Sequence, residues 1–595
     1  MIEPKPFPQL SAALIAFGVG VTLIVWAGAE LAAIIASGHL LHVSTAVALR
    51  CAVEAFGHAS TPARSWPRPV GRDLPGPVLY WAATGFVLIA ASIVAGATAR
   101  LVGRVSTRSR TRLGVEASAR LARPGELAPL LIRRPVAGRF ILGRVGGRLV
   151  ATEDSSNTQR MRRWQRATLP GRRSSVALIG PTRCGKTAAA ITGILEWRGP
   201  AILSSVKTDL MSATIAWRRS LGEVRVFDPT GSTDEPTYGW TPLREATTVT
   251  GAQKAARAIL DAGPRASTED LDFFLRLAEQ LVWPLLLLAA TSHLTMRDVV
   301  SWILTQQSPL DDQTALGQIL RTPTSGIPTR RRQATVDATR ALAGIWALDQ
   351  RTRSSAYATA QTILVPWTDP GVAEASDYDE INLDWLLGGE NTLYLCAPLH
   401  EQQRLAPVFG GMLGDLIAQA YERVSRTDRE LPATLLVLDE AANTPTRWLP
   451  QVASTCPGLG LLLVTIWQSK AQLDATYGPL ADSVLTNHAT KLIFSGVSDL
   501  PTLDYAARLV GDEEIVRRAT SIDQEQGRRT LNLSQQPVQL LPGHVLRQSK
   551  PGNALLVHGS LPPAHLRTCP YYQERRLRTR VVASSRNARA SGRKG

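Results

Sequence analysis

Polar positions vanish twice in the first hundred residues. Ser11 to Ala29 is a run of 19 residues without a charge, and Val78 to Ala99 is a second of 22. Each is long enough to cross a hydrocarbon core of about 30 Å as a helix. The pattern predicts two transmembrane helices, over about residues 11–36 and 78–99, with residues 39–77 between them. Past residue 170 the pattern changes to short runs rich in Val, Ile and Leu, bounded by turn or helix-start signals. They begin at SVALIG (175), AILSSV (201), EVRVFD (223), NTLYLCA (391), ATLLVLDE (433), GLLLVTIW (460), KLIFSG (491) and NALLVHG (553). Runs apolar on both faces suit the central strands of a mostly parallel sheet covered by helices, an α/β architecture. RFILGRVGGRLVATE, starting at Arg139, alternates as a small hairpin does. Between about Val249 and Asp384 the strand runs stop and helix-forming sequence such as LDFFLRLAEQLVWPLLLLAA takes over. An inserted all-helical subdomain accounts for so long an interval between strands of one sheet. Within it the apolar run Leu281–Thr291, only about 11 residues and containing Pro284, is too short to span a membrane and reads as a buried helix.

Charge sharpens the membrane reading. Of the net +17 on 595 residues, the stretch from Arg100 to Arg173 carries 18 Arg against 4 acids, and the tail from Gln573 carries 8 basic residues against Glu574. Those two segments exceed the whole net charge, so the remaining body is slightly acidic. Arg100, Arg104, Arg108, Arg110 and Arg112 follow the second apolar run directly, which by the positive-inside rule places everything after it in the cytoplasm. The first run is longer than the apolar core of a signal peptide, and Pro4 and Lys5 make a poor basic start, so it reads as a retained span. Five scattered cysteines with no CxxC pair argue against a zinc site or a disulfide framework and for a reducing compartment.

Candidate chemistry begins at GPTRCGKT, Gly180 to Thr187, which fits G-x-x-x-x-G-K-[ST] between an apolar strand and the helix-prone TAAAITGILEW. In that setting Gly180, Pro181, Thr182, Arg183, Cys184 and Gly185 form a loop whose backbone N–H groups face phosphates. Lys186 then reaches the β and γ oxygens, and the Thr187 hydroxyl can ligate Mg²⁺. ATLLVLDEA ends a buried strand in two adjacent carboxylates. Asp439 is assigned to the metal and Glu440 to polarising the attacking water, by analogy with nucleotide hydrolases. The next strand ends in Gln468, where a polar side chain can sense the γ-phosphate. SSVK (204–207) matches the S-x-x-K pattern of acylating serine enzymes but lacks SDN and KTG partners, which excludes that class.

The ordered set GPTRCGKT, SSVKTDL, VRVFDPTG, GWTPL, LLVLDEAANTP, VTIWQSKAQLDATYG and LTNHATKLIFSG resembles the TraG/TraD-type coupling proteins of type IV secretion and conjugation, over about residues 139–560. WQSKAQLDATYG and NHATKLIFSG are its more specific parts. The resemblance implies a RecA-like P-loop ATPase using ATP and Mg²⁺, anchored in the cell membrane by two spans and assembled as a homo-hexamer. It implies DNA or a relaxase–DNA complex and secretion-channel components as partners. The implied layout is a membrane anchor (1–112), a basic connector (113–172) and a nucleotide-binding domain in two parts (173–248 and 385–572). An all-helical insert (249–384) lies between those parts, and an unstructured basic tail (573–595) follows. Catalysis is carried over to Lys186, Glu440 and Gln468. The chain departs from the pattern at Ser454-Thr455-Cys456-Pro457-Gly458, where many relatives have an arginine proposed to reach a neighbour's nucleotide; either another residue acts in trans, with Arg447 and Arg404 as candidates, or hydrolysis is arranged differently. Cys184 stands where Ser or Gly is usual, and Thr208-Asp209 replaces a Gly-Glu pair. Two other readings of such a core are a receptor for secreted proteins and a double-stranded DNA pump of the FtsK/SpoIIIE kind; pumps usually lack the helical insert.

Overall fold

The structure, a computed structural model, describes residues 8–106, 111–153, 175–205, 208–262, 269–321, 329–427, 429–443, 447–522 and 529–581. It divides into two compact units, 1–117 and 118–595.

In the first unit, α1 (Pro8–Ser37) and α3 (Pro77–Ser106) contain the apolar windows Gly18–Ser37 and Pro77–Thr98, both long and apolar enough to cross a membrane. Between them the chain is not a plain loop. It forms α2 (Thr45–Gly57), which buries Ala48, Cys51, Ala52 and Ala55. Glu30, the first charge after the apolar run, is held where α1 ends: its carboxylate accepts from the Leu41 N–H at 3.0 Å and from Trp26 Nε1 at 3.3 Å.

The second unit is built on one sheet. Its strands are β1 (Leu131–Ile132), β2 (Ile141–Val145), β3 (Arg148–Ala151), β4 (Val176–Ile179), β5 (Ala201–Ser205), β6 (Val224–Phe227), β7 (Thr392–Cys396), β8 (Thr434–Leu438), β9 (Leu461–Trp467) and β10 (Thr490–Phe494). The chain then makes a separate long hairpin, β11 (Asp512–Ile522) and β12 (Arg529–Gln539), and returns to the sheet as β13 (Asn553–His558) and β14 (Leu561–Arg567). The sheet order is β1-β3-β2-β14-β13-β10-β4-β9-β8-β5-β7-β6. From β10 to β6 all neighbours are parallel; from β13 to β1 they are antiparallel. Every residue of β4, β8 and β9 is buried, because helices cover both faces of the sheet, and this is why those strands read as continuous apolar runs.

Among the described residues of 249–384 the elements are helices, including Val249–Leu260, Glu269–Thr291, Met296–Leu304, Thr329–Trp346 and Gln350–Leu364. Their apolar faces join sheet residues Ile202 and Phe227 in one core. The helix expected at Leu281–Thr291 starts earlier, at Glu269, and carries Pro284 inside it. At 23 residues it is long and apolar enough to span a membrane. Yet 61% of its apolar window is buried within the protein, against 28% and 17% for the two N-terminal windows. Its hydrophobic surface is already used.

The tail expected to be unstructured from Gln573 is a short helix over 575–581. Leu577 is 2% exposed, and Arg576 and Arg580 both pair with Glu196, so packing and ion pairs hold a segment too short to show apolar periodicity. Residues 582–595 and the connector's 154–174 lie outside the described residues. All five cysteines are buried with free thiols.

His488, in the NHATK motif, is fully buried. Its Nδ1–H donates to the Val484 carbonyl at 2.7 Å, and Nε2 accepts from the Thr465 hydroxyl at 3.0 Å, which uses both ring nitrogens of the neutral form. Burial pushes its pKa down to about 4. A histidine kept neutral this way stabilises the fold fully above its unfolded value near 6.5, and that stability drains away as pH falls from there toward 4. The expected loss by pH 5 is roughly 2 kcal/mol. Melting curves at pH 7 and pH 5 check it: the drop should shrink in His488→Gln.

Candidate nucleotide site

The sheet order brings the separated motifs to one edge. β4 carries the glycine-rich loop, β9 lies beside it and β8 beside β9; all three run parallel, so Gly180, Gln468 and Asp439 leave the same carboxyl edge. Cross-strand bonds continue past the strands: Gly180 N donates to Trp467 O at 3.1 Å and Asp439 N to Ser204 O at 2.9 Å. Ligands of open α/β sheets bind at that edge.

Both loop glycines resist a side chain, for different reasons. A Cβ on Gly180 would lie 2.7 Å from the Phe494 Cβ, and Gly185 sits at φ +106, a left-handed conformation that a side chain disfavours. Arg183 also takes positive φ, +63. From Gly185 the chain enters α4 (Lys186–Glu196), whose N-terminal N–H groups and dipole favour an anion. The loop is braced from outside by the turn before β13, where Gly552 N donates to Cys184 O at 3.1 Å.

Lys186 is 8% exposed, and its Nζ donates to the loop's own carbonyls at Gly180 and, at 2.7 Å, Pro181. Burial lowers its pKa, opposed by the nearby Cys184, Glu440 and Asp439. The ammonium is thus desolvated and provided with weak neutral acceptors, which an anion would replace. Burial raises the Cys184 thiol's pKa, so this loop cysteine is a packed, protonated side chain.

Across the site, Asp439 Oδ2 accepts from Ser205 Oγ at 3.1 Å. Glu440 takes positive φ, +59, uncommon outside glycine. Its Oε1 accepts from Gln468 Nε2 at 2.6 Å and from Gln472 Nε2 at 3.0 Å, while Gln472 Oε1 accepts from Gln468 N at 2.9 Å. Two amides therefore fix the carboxylate that the motif assigns to water. Ser205 and Gln472 escape the motif reading, although each has a signal: Ser205 ends the strand paired with β8, and Gln472 lies one helical turn beyond Gln468.

Neither substitute arginine is idle. Arg404 pairs with Glu401 at 2.5 Å and Asp369 at 3.0 Å, and Arg447 with Asp272 at 2.7 Å. Cys456, in the stretch lacking the arginine, is fully buried in the helix Leu449–Leu459. Lys207 of SSVK and residues 444–446 of the ANTP segment lie outside the described residues.

The chain was compared with known proteins. Two VirD4 proteins, of Rhizobium radiobacter and of Agrobacterium fabrum (strain C58), are each 23% identical to it over 214 residues, 36% of this chain. The match covers 31% and 32% of their lengths, so the chain spans about a third of these curated relatives. The unbound bacterial conjugative coupling protein TrwBdeltaN70 superposes with a TM-score of 0.53 at 16% identity, covering 76% of this chain and 92% of that one. TrwB with a non-hydrolysable ATP analogue gives 0.53 and 16%, covering 76% and 94%. At these identities the likeness establishes the fold. Residues 146–593 match the family model described as Type IV secretory system Conjugative DNA transfer, three quarters of the chain, and to that family this chain belongs.

Proposed function

We propose that the chain is a membrane-anchored motor that uses ATP and Mg²⁺ to drive DNA, or a relaxase–DNA complex, toward a type IV secretion channel. The observation that carries the reading is the meeting of Lys186, Asp439, Glu440 and Gln468 at one sheet edge, in a chain whose first unit holds two membrane-length apolar helices.

The donor set suits the cofactor. Magnesium prefers hard oxygen ligands, and the Thr187 hydroxyl and the Asp439 carboxylate, steadied by Ser205, supply them. When bound, Mg²⁺ neutralises phosphate charge. The rest falls to the chain: the loop N–H groups and α4 orient the phosphates, Lys186 adds positive charge, and Glu440, fixed by Gln468 and Gln472, accepts the proton of the attacking water. As Glu440 changes state, Gln468 can pass the change along β9.

On this reading the second unit is cytoplasmic, the protein lies in the cell membrane and a homo-hexamer is the active form. If Arg404 or Arg447 served a neighbour's nucleotide, it would first have to leave its ion pairs. The test is hydrolysis by the full chain in lipid nanodiscs at low salt, where phosphate contacts are strongest. Adding single- or double-stranded DNA is expected to raise the rate several-fold, and no response to either form would sink the DNA-motor reading.

A further inference from the structure

The antiparallel end of the sheet borders an open cavity of about 970 Å³. Its walls are β1 to β3, the segment 569–577 and, through Thr192 and Glu196, the later turns of α4. The volume is that of a small-molecule site. Its lining includes the aliphatic Leu131, Ile141, Leu149 and Leu577.

Charge distinguishes it from an ordinary crevice. Five arginines line it against two acids, and both acids are already committed: Glu574 to Arg144 at 3.1 Å, and Glu196 to Arg576 and Arg580. The side chains of Arg133, Arg134 and Arg148 make no hydrogen bond or ion pair with any described residue, though all three line the same hollow. Three uncompensated guanidinium groups gathered around one concavity repel one another until an anion sits among them. Guanidinium forks match phosphate oxygens in pairs.

We propose that this cavity binds a phosphate-bearing anion, either the headgroup of an acidic phospholipid or a soluble polyphosphate. The arginines take the phosphates and the aliphatic side chains take the ligand's carbon skeleton. Among the described residues no aromatic ring lines the cavity to stack a base, and a discrete anion fits better than a nucleic-acid strand. Its occupant touches the helix that starts at Lys186, and its phosphate competes with Glu196 for Arg576. This site lies outside the nucleotide site and goes beyond the motor function proposed above.

Hydrogen–deuterium exchange on the full chain in nanodiscs tests it in three arms. The first adds inositol hexakisphosphate to phosphatidylcholine discs, the second replaces part of that lipid with phosphatidylglycerol, and the third adds a single-stranded oligonucleotide. Slowed exchange over residues 131–149 and 569–577 is expected in the first arm for a soluble ligand, or in the second for a headgroup. In R133S/R134S/R148S, which changes only exposed side chains, the protection should vanish and the apparent affinity fall at least about tenfold. Melting temperature confirms that this variant is folded. Protection in neither anion arm, protection that survives the triple substitution, or protection by the oligonucleotide alone would overturn the proposal.

Discussion

Glu440→Gln should leave the protein folded and able to hold ATP while lowering hydrolysis at least about 100-fold. The substitution keeps the shape of the side chain, and an amide oxygen can still accept from Gln468 and Gln472, which lie 2.6 and 3.0 Å from Oε1. What disappears is the carboxylate proposed to take a proton from water. Lys186→Ala should fail differently: it removes the buried cation proposed to meet the phosphates, so nucleotide affinity itself should fall at least about 30-fold, with hydrolysis lost alongside. Equilibrium binding of a fluorescent ATP analogue, with phosphate release measured on the same preparations, separates the two. If Glu440→Gln hydrolysed ATP at the normal rate, the assignment of the base would be wrong.

The largest expected effect on stability lies outside the site. Arg218 is fully buried and makes no ion pair among the described residues. It is satisfied by neutral acceptors: Nε donates to Thr392 Oγ1 at 2.7 Å, Nη1 to Trp197 O at 3.1 Å, and Nη2 to Gly199 O at 2.7 Å and Glu390 O at 3.1 Å. One side chain thereby ties together the end of the segment after α4, the start of β5 and the start of β7. Arg218→Ala leaves those acceptors buried and unpaired beside a void, at a cost of about 3–5 kcal/mol. Arg218→Lys keeps the charge but not the planar fork, and should recover little of the loss. Thermal melts of the three proteins decide the matter; an unchanged melting temperature for Arg218→Ala would mean the region relaxes around the gap.

The sheet was legible because its strands are buried on both faces, which leaves a signature of short Val, Ile and Leu runs between turn signals. All eight such runs became strands. The two apolar N-terminal helices showed through for the same reason, since nothing polar interrupts them. Elements that take their stability from partners were harder to read. The hairpin β11–β12 lacks a strong apolar run, α2 has only small buried residues, and the 575–581 helix depends on Glu196, almost 400 positions earlier. At the site, the motifs gave Lys186, Asp439, Glu440 and Gln468, which the sheet order gathers at one edge. They could not give Ser205 and Gln472, whose roles depend on which strands and turns become neighbours. Nor could they show that Arg404 and Arg447 already have acidic partners.

A motor must move along what it binds, and displacement of a third strand from triplex DNA reads movement directly. With the full chain in nanodiscs and a triplex placed beyond a DNA loading region, ATP should strip the third strand. A non-hydrolysable analogue should not, and neither should Glu440→Gln with ATP. Steady ATP hydrolysis with the triplex left intact on both single- and double-stranded loading regions would contradict the motor.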